Sequence, residues 1–261
     1  MITRGVLFVW LGLLVALAGC TSPGGVSKIG GKKVSPRLAA HFNIEMAYRY
    51  MQAGSMDLAQ RKLALARREA PQDPVVYNAL AFYYTQIGKY ARAEHEFRQA
   101  LSLGPDNPDT LNNYGTFLCR RGEYRVSLKY FSRAAANLNY ATPDSALANA
   151  GTCALKIPNK KIARRYFEQA LAINPNQPEA LWQLGLMAFE KGDYSSANNR
   201  LGRLVSSDRN VSPRVLWVAI EAAWTVGDQV NAKRYGRRLL KKFPGSREAR
   251  KFIHLISRTG P

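Results

Sequence analysis

Between Tyr77 and Pro105 the apolar residues return every three or four positions, first as Tyr77, Leu80, Ala81 and Tyr84, then as Tyr90, Ala93, Phe97 and Ala100. That period, with polar residues between, predicts two amphipathic helices. Gly88 breaks the pattern and Pro105 stops it, so the spacing places the helices over residues 74–87 and 89–103. Ala81, Ala93 and Ala100 stand where two helix backbones must approach closely. Tyr77, Leu80, Tyr84, Tyr90 and Phe97 fill the space beside them.

The same pattern recurs along the chain. Gly88, Ala93, Phe97, Ala100 and Pro105 are answered by Gly122, Ser127, Phe131 and Ala134, with Tyr114-Gly115 in the preceding helix. Gly151, Ala163, Phe167, Ala170 and Pro175 follow, with Pro158 at the turn, and then Gly185, Gly192, Tyr194, Ala197 and Leu201. Weaker versions flank these: Gly54, Ala59, Leu63, Ala66 and Pro71 before, Gly227, Ala232, Leu239 and Pro244 after. The bulky anchors Leu63, Phe97, Phe131, Phe167 and Leu201 are 34, 34, 36 and 34 residues apart, the two extra residues falling near 140–143. This spacing resembles the tetratricopeptide repeat (TPR), in which each repeat is a helix-turn-helix that buries its core only against its neighbours. The expectation is an all-α TPR superhelix, an α-solenoid of six repeats over about 40–73, 74–107, 108–143, 144–177, 178–212 and 213–246. A helix over 246–257, with Ala249, Phe252, Ile253 and Ile256, would cap it.

In such a stack the first helix of each repeat lines a concave groove. The expected groove residues are Tyr48, Met51, Asn78, Phe82, Asn112, Thr116, Arg120, Trp182, Leu186, Phe189, Trp217, Glu221 and Trp224. The large ones would anchor an extended or helical peptide, with Asn78 and Asn112 meeting its backbone. Packing between repeats is the alternative use for them.

The amino terminus suggests an address. Arg4 precedes an apolar run over residues 6–18 that ends Leu17-Ala18-Gly19-Cys20. About thirteen apolar residues suit a signal peptide better than a bilayer span. Leu-Ala-Gly-Cys resembles the bacterial lipobox, which implies a signal peptide over 1–19, acylated Cys20, a Gly-rich tether to residue 36 and a repeat domain over 37–261. An ordinary cleaved signal peptide is the alternative. Thr21 and Ser22 follow the Cys in place of an Asp retention signal, which favours the outer membrane, periplasmic face. The net charge of +20 suits an anionic partner such as nucleic acid, an acidic protein or lipid headgroups, and the export signal sets nucleic acid aside despite that charge. Pairs such as Arg61-Lys62, Lys160-Lys161, Arg164-Arg165 and Arg237-Arg238 form either a solvated second-helix face or a contact with anionic lipid or peptidoglycan.

No catalytic constellation stands out. His41, His95 and His254 lie far apart without metal-ligand spacing, and there is neither a phosphate loop nor a Gly-x-Ser-x-Gly. The chain reads as a non-enzymatic binding protein with no cofactor beyond an N-terminal lipid. Cys119 and Cys153, 34 residues apart at nearly equivalent repeat positions, are an even pair in an oxidising compartment. A disulfide is expected between helices kept thin by Gly115, Ala150, Gly151 and Ala154; two buried thiols are the alternative.

Two stretches carry a narrower resemblance: Asn112-Asn113-Tyr114-Gly115-Thr116-Phe117-Leu118-Cys119, and Ala146-Leu147-x-Asn149-Ala150-Gly151-x-Cys153. With the lipobox, tether and six repeats, the chain resembles the PilF/PilW family of type IV pilus biogenesis lipoproteins, or pilotins. The resemblance implies an outer-membrane lipoprotein that helps the pilus secretin reach the outer membrane or assemble there, and so supports twitching motility. A TPR lipoprotein of another envelope complex, serving outer-membrane protein assembly or regulating a cell-wall enzyme, is the alternative. Gly236 departs from the repeat pattern, standing where a bulky residue belongs, as does Gln229 in place of Tyr.

Overall fold

Proline begins the first helix of every repeat. Pro36, Pro74, Pro108, Pro143, Pro178 and Pro213 sit at first-turn positions, where the missing N–H costs nothing. The preceding residue caps the helix in five of the six. Ser35, Asp73, Asn107, Gln177 and Ser212 each accept a hydrogen bond from a first-turn backbone N–H. The computed structural model describes residues 28–29, 32–33, 35–208 and 210–259. Its helices pair as α1 (Pro36–Gln52) with α2 (Met56–Glu69), α3 (Pro74–Gln86) with α4 (Tyr90–Leu103), and α5 (Pro108–Arg120) with α6 (Tyr124–Ala136). Next come α7 (Pro143–Ala154) with α8 (Lys160–Ile173), α9 (Pro178–Glu190) with α10 (Tyr194–Ser207), and α11 (Pro213–Thr225) with α12 (Gln229–Lys242). A last helix, α13 (Arg247–Thr259), packs on α11 and α12. A minimal antiparallel ribbon, β1 (Lys28–Ile29) with β2 (Lys32–Lys33), lies within the segment expected to be an irregular tether.

Five of the six pairs turn on a glycine with φ between +72° and +83°: Gly54, Gly88, Gly122, Gly192 and Gly227. A Cβ would be strained in that left-handed conformation. The α7–α8 turn, with Pro158, manages without one. Ile157 is buried beneath it and Asn159 caps α8 through the Lys161 N–H.

The anchors form the core. Leu63, Phe97, Phe131, Phe167 and Leu201 are at most 1% exposed. Each bulky ring needs a small partner on the facing helix, and this explains Gly115 and Gly151. A Cβ on Gly115 would lie 2.9 Å from the Phe131 ring, and one on Gly151 2.6 Å from Phe167. These glycines therefore serve packing within a repeat. This packing role adds to the expected one, thinning the helices for a disulfide.

The sixth repeat inverts the arrangement. The α10–α11 connection spans residues 208–212, one more than the 104–107 and 174–177 connections, so later positions shift by one. The bulky place then falls on Gly236, and the Phe252 ring of α13 lies where a Gly236 Cβ would be, 1.9 Å from it. Ile220, fully buried, supplies bulk from the first helix instead. The missing anchor is delivered by the next helix along.

Candidate functional site

Successive first helices touch in a continuous row, α1 to α3, α5, α7, α9, α11 and finally α13. The residues expected to line a groove lie along that row, and the structure sorts them into three groups.

At the amino-terminal end, Tyr48 of α1 and Phe82 of α3 meet edge to face with ring centroids 5.6 Å apart, both half-buried against the local core. Burial, helped by the Asp109 carboxylate, pushes the Tyr48 hydroxyl up to about 12, so it is neutral at any physiological pH. Met51 belongs to the core itself, 8% exposed, and does not line a groove.

In the middle the row is held by asparagines. The Asn113 side-chain amide donates to Asn78 Oδ1 at 3.2 Å, and that of Asn149 to Asn112 Oδ1 at 3.1 Å. Asn78 is 5% exposed, with its carbonyl oxygen engaged. It ties α3 to α5 and is not a groove ligand, contrary to expectation. Asn112 is half-buried and Asn149 exposed, so this rung faces outward. Thr116 Oγ1 donates back to the Asn112 carbonyl at 3.0 Å, and Arg120 is exposed at the end of α5. Asn113 and Asn149 fall outside the expected groove set, and the sequence signal for them is an asparagine recurring about one repeat later.

Toward the carboxyl end, aromatics pair with cations. The Arg214 guanidinium lies 5.9 Å from the Trp182 ring centroid, and Lys251 Nζ 5.3 Å from that of Trp217. Trp217 and Glu221 of α11 share a cleft of about 560 Å³ with Arg247, Arg250, Lys251, His254 and Leu255 of α13. Burial raises the Glu221 carboxyl, an effect that the Lys251 charge opposes. Leu186 packs on the carboxyl-terminal core, as does Phe189, which also meets Tyr194 of its own repeat edge to face at 5.3 Å. Phe189 thus packs on the local core while staying half-buried. Trp224 lines a separate cleft with α12 and α13, apart from the other groove candidates.

Between the amino-terminal end and the aromatic–cation pairs, a disulfide joins Cys119 of α5 to Cys153 of α7, with Cα atoms 5.9 Å apart. It links neighbouring first helices, and Ser127 Oγ lies 3.0 Å from the Cys153 sulfur.

The basic residues are not one free face. Arg238 donates to the carbonyls of Val205 and Asp208 at 2.5 and 2.7 Å, fastening α12 to the end of α10. Arg67 pairs with the buried Glu96 at 3.4 Å and covers the Tyr77 ring. Lys160 pairs with Glu190 at 3.2 Å in an exposed cleft that Lys161 and Arg164 also line. Among the described residues no group of three or more His, Cys, Asp or Glu could hold a metal, and no helix is long and apolar enough to cross a membrane. Cys20 and the segment before it lie outside the described residues.

A tetratricopeptide repeat family model matches residues 39–186. The chain is 27% identical over 240 residues to the type IV pilus assembly protein PilF of Pseudomonas aeruginosa, covering 92% of this chain and 94% of that protein. Its fold is similar to the solved structure of Pseudomonas aeruginosa PilF, with a TM-score of 0.70 at 25% identity over 85% of this chain and all of the other (100%). It is also similar to the crystal structure of PilW, described as a widely conserved type IV pilus biogenesis factor. There the TM-score is 0.65 at 27% identity, over 82% of this chain and 98% of that one.

Proposed function

The chain belongs to the tetratricopeptide repeat family and is related to the type IV pilus biogenesis factors PilF and PilW, and from that premise we propose that it is a non-catalytic assembly factor of the type IV pilus. It holds a segment of a pilus component along the row of first helices. The family resemblance makes the outer-membrane secretin the candidate partner, with the chain acting as a pilotin that promotes secretin localisation or multimerisation. An acylated Cys20 would hold the repeats at the periplasmic face of the outer membrane.

One observation carries this reading: the outward Asn112–Asn149 rung stands between aromatic surfaces at Tyr48–Phe82 and at Trp182 and Trp217. Half-buried aromatics supply apolar anchor surface, and the rung keeps polar groups for a backbone lying between them. Exposed charge pairs contribute only about 0–1 kcal/mol and are screened by salt.

The test compares Trp182→Ala with Trp217→Ala against Arg164→Glu with Arg165→Glu, reading secretin affinity at physiological salt with circular dichroism as the folding control. The aromatic truncations should weaken binding by about tenfold or more. Charge reversals that abolish binding while the folded aromatic variants bind normally would move the docking surface to the second helices. Release of a Cys20→Ser variant from the outer membrane is the expected result for the anchor; unchanged membrane attachment rules that anchor out.

A further inference from the structure

The last described helix, α13, differs from the other first helices in what lies beside it. The α13 helix touches α11 and α12 just as α3 touches α1 and α2, so it takes the place of a seventh first helix. Every earlier first helix carries a second helix packed along it, and α13 carries none among the described residues. A terminal helix that only shields the core turns a polar face outward. Here an apolar cleft of about 550 Å³ opens between α12 and α13, lined by Trp224, Leu240, Phe252 and Ile253, with Ile253 50% exposed. Lys233 and Arg237 stand on its rim, and neither has an ion-pair partner among the described residues. The surrounding charge is predominantly positive: residues 229–259 hold ten Lys and Arg against a single acid, Glu248.

These features select among occupants. A second copy of a chain of net charge +20 is repelled by that charge. A lipid surface is broad and soft, whereas this apolar surface is a cleft between two helices, the setting in which an amphipathic helix lays its apolar face. Acidic residues flanking such a row would meet Lys233 and Arg237. We propose that the cleft binds an acidic amphipathic helix of a partner protein, which lies along α13 as a second helix lies along the first in each repeat. This surface is distinct from the groove and is tested separately.

The probe is a dye-labelled helical peptide of about 18 residues, with Leu on one face and Glu elsewhere, titrated by fluorescence anisotropy against the full chain in neutral detergent. The acidic helix should bind. Lys233→Glu with Arg237→Glu should weaken it at least about tenfold, and Ile253→Ser, at a half-exposed position that leaves the core intact, by a comparable factor. Reversal of the remote Lys160 and Lys161, and the groove variant Trp182→Ala, should leave the affinity unchanged. Equal binding of a scrambled peptide of the same composition, or an equal loss on reversing Lys160 and Lys161, reduces the effect to bulk charge and overturns the proposal. So does a pattern in which the cleft variants lower binding to anionic phospholipid vesicles while the peptide binds them normally.

Discussion

Asp73 near the first repeat and Glu221 in the sixth are both carboxylates drawn out of water, and they titrate in opposite directions. Burial pushes both upward. At Asp73 that push is outweighed by the Val75 N–H at 3.0 Å, by His41 at 2.9 Å and by Arg37 at 2.9 Å, so its carboxyl sits below the ordinary range. The Glu221 carboxylate receives no hydrogen bond among the described residues. The nearby Lys251 offsets only part of the burial effect, its ammonium lying over Trp217. Directed hydrogen bonds, rather than the mere presence of a cation, decide whether a buried carboxylate stabilises the fold. The carboxylate at the amino-terminal end is therefore satisfied, whereas the one toward the carboxyl-terminal end keeps a charge that its surroundings only partly offset.

The core should show this difference most strongly. Leu63→Ala, in the first repeat, is expected to cost about 2–5 kcal/mol in one global urea transition. Phe252→Ala removes a comparable or larger volume, but the loss should be local. Hydrogen exchange should report α13 opening while α1–α10 stay protected; a single global transition for Phe252→Ala would show that α13 is as integral as the first repeat.

Next in size is the link between the two halves. Replacing Cys153 with Ser should cost about 3–4 kcal/mol, the chain-entropy contribution of a 34-residue loop. Thermal melts with and without reductant check this, and an unchanged melting temperature would deny the bridge its stabilising role.

Asp73→Ala should cost about 2 kcal/mol, since it removes a helix cap and leaves His41 and Arg37 unpaired. Its wild-type contribution is present above the ordinary carboxylate value of 3.8 and is lost as pH falls through the lower folded value. The stability gap between wild type and variant should thus close in acid. Glu221→Gln is the smallest effect and has the other sign. A raised carboxyl penalises the folded state at neutral pH, and the penalty disappears as pH falls below 4.5. The variant should be slightly more stable than wild type at pH 7 and no different in acid; a destabilised variant at pH 7 would mean that Lys251 pairs with Glu221 more strongly than burial opposes it.

The fold was legible because each bulky anchor and its small partner recur at nearly constant spacing within a helix pair. Phe131 against Gly115 and Phe167 against Gly151 are local in sequence, so their period survives reading without a structure. The site was harder to read. Whether Asn78 faces solvent depends on Asn113 in the next repeat, and whether Phe189 faces a groove depends on Tyr194 across the turn. Helical periodicity assigns a face, but the neighbour that covers that face sets its exposure. The one-residue lengthening at 208–212 hid the exchange between Ile220 and Gly236, since a glycine at an anchor position reads as a defect until Phe252 is seen to fill it.

The Cys119–Cys153 bridge has a mechanical consequence. Tension applied between the two ends of the array would pass through the sulfur–sulfur bond and bypass the polypeptide it encloses. Even with every repeat pulled open, the 34-residue span stays looped and withholds roughly 110–120 Å of contour length. Only a reductant would release that slack, so the protein's maximum reach under load is set by its oxidation state.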